Sequence, residues 1–318
     1  MTLKLVDFIA KNDSVDPEEF SPRAKERIND ALADLTGTEG GPSPGGAGNI
    51  IVSKERATDD NDLFDSIQAA INDEDTGSGD TVFVESGNYE ESVTIDVKGL
   101  TLEAAAGASP TIDADSAQYG VEIVSDNVTV RGFRVKGFKE IGIFDDKEEV
   151  TVTIEDNVVA EPQPDEGGAT VQHIQLTGGD GSQVTNNTVN GIPEFEGDWA
   201  STGILAEGTD NAEIRDNNIN SNDVGIGISN FFGDVRNVDV KNNEVEGDQS
   251  IQIYDSENND IDTDSITISD NTLKSDNIFV QTFDLLSDGE LSAILNEQDN
   301  TFEPAGTVNN GEGEIVPE

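Results

Sequence analysis

Few side chains in this chain are equipped for chemistry. It has no cysteine, so disulfides, thiolate nucleophiles and thiolate metal sites are excluded. The sole histidine, His173, stands in Val171-Gln-His-Ile-Gln-Leu176 with no other base beside it. Paired carboxylates such as Asp145/Asp146 and Asp262/Asp264 have the composition for general acid–base catalysis or for calcium. With 67 acidic residues in 318, such pairs arise from composition alone. No catalytic residue and no metal ligand is therefore assigned; calcium is compatible with the composition but unsupported, and no other cofactor is expected.

A second group of residues suits binding rather than bond breaking. Short apolar alternations recur at Ile141/Ile143, Ile174/Leu176, Ile204/Ala206, Ile226/Ile228, Ile251/Ile253 and Ile278/Val280. Period two means strand. If these pairs point inward, the residues between and beside them point out. That outward strip reads His173, Gln175, Leu205, Gly225, Gly227, Gln252, Tyr254, Phe279 and Gln281, without a charge. Gly225 and Gly227 would leave a dip bordered by amides and aromatics, groups suited to hydrogen-bonding and stacking on sugars. Two longer corners hold Pro162 and Pro164, then Phe195 and the only tryptophan, Trp199. The strip serves equally as a binding surface, a subunit contact or an ordinary sheet face, and Phe195 and Trp199 serve as well for local covers as for contacts.

What must position these residues is a repeat. The phrases Ile154-Glu-Asp-Asn157-Val-Val159, Val184-Thr-Asn-Asn187-Thr-Val189, Ile214-Arg-Asp-Asn217-Asn-Ile219, Val240-Lys-Asn-Asn243-Glu-Val245 and Ile268-Ser-Asp-Asn271-Thr-Leu273 place an Asn at steps of 30, 30, 26 and 28 residues. That is the period of stacked supersecondary units. Stacking makes one core of apolar residues that no single copy could bury, and aligns Asn157, Asn187, Asn217, Asn243 and Asn271 in a hydrogen-bonded column. Nowhere does the region supply the i, i+3, i+4, i+7 pattern of a helical bundle. The predicted architecture is all-β, a right-handed parallel β-helix. Phe133 takes the Asn position in an early coil, and Asn300 marks a last, degraded one.

Around the repeat, residues 49–305 are expected to form the solenoid with its caps. A helix over Asn61 to Asn72 would bury Leu63, Phe64, Ile67, Ala70 and Ile71 and precede the first coils. The order Ser66-Ile-Gln-Ala-Ala-Ile71, Gly79-Asp80-Thr-Val-Phe-Val84, Gly87-Asn-Tyr89 resembles the opening of the pectin-lyase-like superfamily of right-handed β-helix proteins, over about residues 60–302. The resemblance implies that this helix plugs the N-terminal end, where an open core and unpaired edge need cover. A short helix over Glu290–Leu295 is the candidate C-terminal cap, and 306–318 reads as a loosely held polar tail. Residues 1–48 form a separate prefix. Ser21-Pro22 opens a helix that Gly37 closes, with Ala24, Ile28, Leu32 and Leu35 on one face, followed by a Gly/Pro linker. Its charges cancel, so it is read either as a docking helix for another protein or as a segment folding back on the solenoid.

The superfamily holds lyases, hydrolases, esterases and members without activity, so its fold does not decide function. The Gly-His-Gly and Arg-x-Lys segments of its glycosidases are absent, Gln172 and Gln175 lack the Asp that the esterases place after them, and Arg131, Arg134, Arg215 and Arg236 stand in no lyase motif. A net charge of −50 implies a protein built for molar salt, where the Debye length falls to about 3 Å and self-repulsion is screened. Nucleic acid is excluded as a partner for want of a basic stripe, and no run approaches the length of a membrane span. No export signal is read in the first residues. The expectation is a non-enzymatic structural and recognition protein of a halophile, a virion surface component of tail, spike or turret type binding a host glycan or glycoprotein, with a cytoplasmic location otherwise. The resemblance implies a homo-oligomer, a trimer foremost. The alternatives are a polysaccharide lyase or glycoside hydrolase acting on acidic polysaccharide, or an intracellular scaffold.

Overall fold

The structure, a computed structural model, describes residues 49–55, 63–146, 150–165, 170–191, 201–221, 223–256, 259–282, 291, 295, 300–305, 307–309 and 314–317. The predicted docking helix, Phe195 and Trp199 lie outside these residues. The chain winds through about eight turns of a parallel β-solenoid. Its strands stack in three sheets of 10, 9 and 10 strands. One complete coil runs from Glu213–Arg215 in the first sheet to Asn218–Asn220 in the second and Val224–Ser229 in the third. Each pairs in parallel with the same strand of the next coil, so Ile214, Ile219 and Ile226 stack on Val240, Val245 and Ile251. These inward aliphatics are fully or almost fully buried and form one core along the axis.

The turn between the first and second sheets is fixed by the ladder. In the sixth coil the Asn217 Nδ2 donates to the Val184 carbonyl at 2.9 Å and to Asn243 Oδ1 at 3.0 Å. Asn217 Oδ1 in turn accepts from the Asn187 backbone N–H at 2.8 Å and the Asn187 Nδ2 at 3.1 Å. Every polar position of the buried amide is thus used. The column starts where the Phe133 N–H donates to Asn157 Oδ1 and ends at Asn300, whose Oδ1 accepts from Asn271. The residue before each interior ladder Asn is left-handed: Asp156, Asn186, Asp216, Asn242 and Asp270 have φ between 54° and 60°. Asp and Asn tolerate that region better than other side chains, which accounts for the Asp/Asn-Asn pair in every copy.

The ends differ from the sequence reading. The helix, α1, is confined to Ile67–Ile71, because Leu63–Phe64 pairs as a strand with Asn49–Val52. The Glu91 carboxylate accepts the N–H groups of Ile67 and Gln68 at 2.9 and 3.0 Å, tying the start of α1 to the first coil. The Gln68 amide then imitates a strand for the exposed edge of the third sheet, donating to the Thr94 carbonyl at 3.0 Å and accepting the Thr94 N–H at 2.7 Å. At the other end Leu291 and Leu295 are helical and buried in the core. Part of the supposedly loose tail is paired: Glu314–Pro317 runs antiparallel to Ile278–Gln281 and to Thr307–Asn309, covering the last edge of the third sheet. Ile315 is buried in the core and anchors this strand, a contact that a purely polar tail would lack.

Replacing Asn217 by Ala removes an amide and leaves the Asn187 N–H and the Val184 carbonyl short of partners inside the core. The expected cost is at least about 1–3 kcal/mol of unfolding free energy. Exposed Asn218→Ala should stay within about 0.5 kcal/mol of the parent. Denaturant unfolding of the two variants side by side decides whether the column carries the stability assigned to it.

Candidate functional site

The third sheet is where strand alternation breaks. In every coil from the second to the eighth, two successive residues face inward: Gly120-Val121, Gly142-Ile143, His173-Ile174, Gly203-Ile204, Gly225-Ile226, Ser250-Ile251 and Phe279-Val280 are all buried. The ladder pairs the residues on either side of the first member and skips that member itself, as in Thr202↔Val224 followed by Ile204↔Ile226. This is a bulge repeated coil after coil, where the backbone bends from the second sheet towards the third. A Cβ on Gly225 would stand 2.2 Å from Val245 Cγ1 and 2.7 Å from the Ser250 carbonyl oxygen, so the position demands glycine or a locally widened corner.

Three residues expected on the outer strip belong to this inward column. Gly225 is one. His173 is fully buried, its ring 5.8 Å edge-on from Phe138, with Nε2 3.1 Å from the Asn190 carbonyl and Nδ1 3.3 Å from that of Thr202. Burial pushes its pKa down to about 4, which makes it a neutral packing residue. Phe279 is buried against Phe302, with ring centroids 5.1 Å apart. Period two holds from Ile174 onward but fails across the bulge, which adds one residue.

The remaining strip residues do face outward. Gln175, Leu205, Gly227, Gln252 and Gln281 pair in register across the third sheet. Gln281 is diverted to the C-terminal hairpin, donating to Glu314 at 2.6 Å. Leu205 and Gln252 line a groove of about 450 Å³. Leu205 and Val224 lie along its apolar part and Thr202 and Gln252 along its polar part, while Phe231 and Tyr254 stand at its rim. Phe231 and Tyr254 are 54% and 43% exposed, unusual for rings this large. Phe232 meets Phe231 edge-on at 5.0 Å. The turn carrying both is held from below by buried Asn230, which donates to Asp255 at 2.7 Å and accepts from Ser256 N–H at 2.7 Å.

The groove contains a charge that the strip was expected to lack. Glu207 lies along it, and its Oε2 accepts from the Gln175 Nε2 at 3.0 Å. Burial, only partly offset by that bond, raises its pKa to about 7. The period-two pattern places Glu207 outward with Leu205, and one more step along the strand would have found it. Phe231 and Phe232 fall in a corner, where no periodicity speaks. The pair Asp145/Asp146 is split by the chain: Asp146 is exposed, whereas Asp145 is fully buried, accepts the Thr177 N–H through Oδ1 and leaves Oδ2 without a partner. Burial raises the Asp145 pKa well above the ordinary carboxylate range. Among the described residues, no three His, Asp or Glu side chains converge to hold a metal ion.

A stacked three-sheet coil with an Asn column and a groove on one outer face defines a β-solenoid protein. The model of the family described as the right handed beta helix region matches residues 119–285, and the chain belongs to that family. A pectin methylesterase solved in complex with hexasaccharide VII is similar in structure at 12% identity, with TM-score 0.33 over 74% of this chain and 70% of that one. The pectin methylesterase from Aspergillus niger, in penultimately deglycosylated form, is similar at 14% identity, with TM-score 0.38 over 84% of this chain and 88% of that one. A search of curated proteins returns no match.

Asp145 and Glu207 both hold a proton more tightly in the fold than in the unfolded chain. Their contribution is therefore fully present below the unfolded carboxylate range and is lost as pH rises, through about 7 for Glu207. The melting temperature should fall as pH is raised from about 5 to about 8. Asp145→Asn keeps an oxygen for the Thr177 N–H, and Glu207→Gln keeps one for Gln175. The double variant should melt higher than the parent at the alkaline end and show a flatter profile.

Proposed function

We propose that this protein binds glycans in the groove of its third sheet, with uncharged sugars as the preferred class. The observation that carries this reading is the pair of exposed rings, Phe231 and Tyr254, beside the amide of Gln252 and the hydroxyl of Thr202. Pyranose rings present an apolar face for stacking and hydroxyls for hydrogen bonds at their edges. With a net charge of −50 and a carboxyl in the groove, a polyanionic glycan meets an unfavourable field. Binding is favoured over hydrolysis because a glycosidase needs two carboxyl groups flanking the scissile bond, whereas Glu207 is the single carboxyl among the described lining residues. Calorimetry against neutral and uronate oligosaccharides in molar salt tests this. Tyr254→Ala and Phe231→Ala should each weaken binding about fivefold, since one stacked ring contributes about 1 kcal/mol. Absence of binding to any glycan, or affinity indifferent to both rings, would sink the proposal. Release of reducing ends by the parent but not by Glu207→Gln would show hydrolysis instead.

The wider role proposed is recognition by an external component of an assembled particle, of virion type, from a high-salt setting. Its support is in the sequence: a helix in the prefix over 1–48 whose charges cancel, Arg23, Lys25 and Arg27 against Glu26, Asp30 and Asp34, on an otherwise acidic chain, and the apolar face of Ala24, Ile28, Leu32 and Leu35. Deleting 1–48 should leave a folded solenoid that no longer joins the parent particle. Assembly that survives both this deletion and the replacement of Ile28 and Leu32 by Asp removes the docking role.

A further inference from the structure

The outer face of the second sheet carries a charge pattern that is complementary to itself. Two residues per strand face out, in two columns in register. The three middle strands are uncharged, reading Val158 and the buried Ala160, Thr188 and Asn190, Asn218 and Asn220, while Glu161, directly after Ala160, bonds Arg134 of its own copy at 2.6 Å. Two coils before the centre stand Arg134 and Lys136; two coils after it, in the same two columns, stand Glu244 and Glu246. One coil further out, in the second column, Asp113 at one end answers Lys274 at the other.

We propose that this face binds a second copy of the chain, the two solenoids running antiparallel about a twofold axis that lies between them, over the Thr188–Asn190 strand and along its direction. In that arrangement Arg134 meets Glu244 of the other copy, Lys136 meets Glu246, and Asp113 meets Lys274, each contact occurring twice. Within one copy Lys136 already bonds Asp113 at 2.7 Å and Lys274 bonds Glu244 at 2.5 Å. Apposition therefore brings Asp113, Lys136, Glu246 and Lys274 into one network with alternating signs rather than isolated pairs. A parallel arrangement with equal coils facing would oppose Arg134 and Lys136 to themselves, and likewise Glu244 and Glu246. Register is thus chosen by charge. The outermost pair, Glu90 with Glu303, is of like sign, and it sits at the far ends of the face.

The contact is modest. Nine strands at about 4.8 Å spacing and three residues of width give about 400 Å² per copy, half of what a standard interface buries on each side. Surface ion pairs add little affinity. The dimer is therefore weak and concentration-dependent, and it requires salt enough to screen the repulsion between two strongly acidic chains.

Sedimentation equilibrium of the full chain in molar salt tests the contact. The weight-average mass should rise towards twice the monomer with concentration. Lys136→Glu and Glu246→Lys, each alone, should hold the chain at monomer mass, because each sets like charges face to face. An equimolar mixture of the two should double the mass again, since every contact is then opposite in sign. A threefold mass, a monomer at all concentrations, or a multimer indifferent to both changes overturns the proposal, as does a folded mixture that stays monomeric. Should Lys136→Glu fail to fold beside Asp113, Arg134→Glu mixed with Glu244→Lys reads the same contact with the same expected outcomes.

Discussion

A chain that turns three corners in every coil must bury corner peptide groups that no strand partner can reach, and here one amide side chain answers that constraint. At the turn between the first and second sheets, each ladder Asn from Asn187 to Asn271 donates to a carbonyl of the coil before and to the Asn of the coil after, while accepting the backbone and side-chain N–H of its predecessor. The amide offers two donors and two acceptor sites in one plane, a set that no other short side chain but its longer homologue has. Because the bonds run along the axis, each coil is held in register by its neighbours. Removing one rung leaves groups unsatisfied in two coils.

That register fixes the rest of the cross-section. The inward column at the third corner, with Gly225 pressed against Val245 and the Ser250 carbonyl, is possible only where coils stack without slippage. His173, Ser250 and Phe279, all fully buried, show that the column also admits larger side chains. By taking one extra residue inward, the bulge decides which residues of the third sheet look out, and hence that Gln252 and Tyr254 rather than His173 and Phe279 reach the groove. The anchored turn at Asn230 then places Phe231 at the same rim.

The electrostatics follow the same division of labour. Acidic residues crowd the sequence, yet several bases in the sheets sit between acids of adjacent coils, as Arg131 does at 2.5 Å from Glu103 and 3.3 Å from Glu155. Parallel stacking makes such pairing possible, since residues nearly thirty positions apart become neighbours about 4.8 Å away. Each of these exposed bridges is worth little alone. Together they arrange an overwhelmingly negative chain so that its sheet faces carry patterns rather than uniform repulsion. Glu207 and Asp145 are the opposite case, carboxyls that burial keeps protonated at higher pH than their exposed counterparts.

By itself the sequence determined the solenoid. The Asn spacing, the aliphatic alternation at Ile226/Ile228 and its counterparts, and the ladder roles of Phe133 and Asn300 are all local or periodic signals, and periodicity survives in one dimension. It also marked Gln252, Tyr254 and Gly227 as outward, because parity along a regular strand is a property of the backbone. Tertiary structure decided what parity cannot carry across a bulge. His173, Gly225 and Phe279 turned inward because the corner inserts a residue, and neither composition nor period records that insertion. Glu207 and Phe231 became groove residues only when adjacent coils set them beside Gln175 and Tyr254. Likewise, Leu63–Phe64 became strand rather than helix because Asn49–Val52 offered an edge to pair with, an attraction between segments that local propensity does not contain.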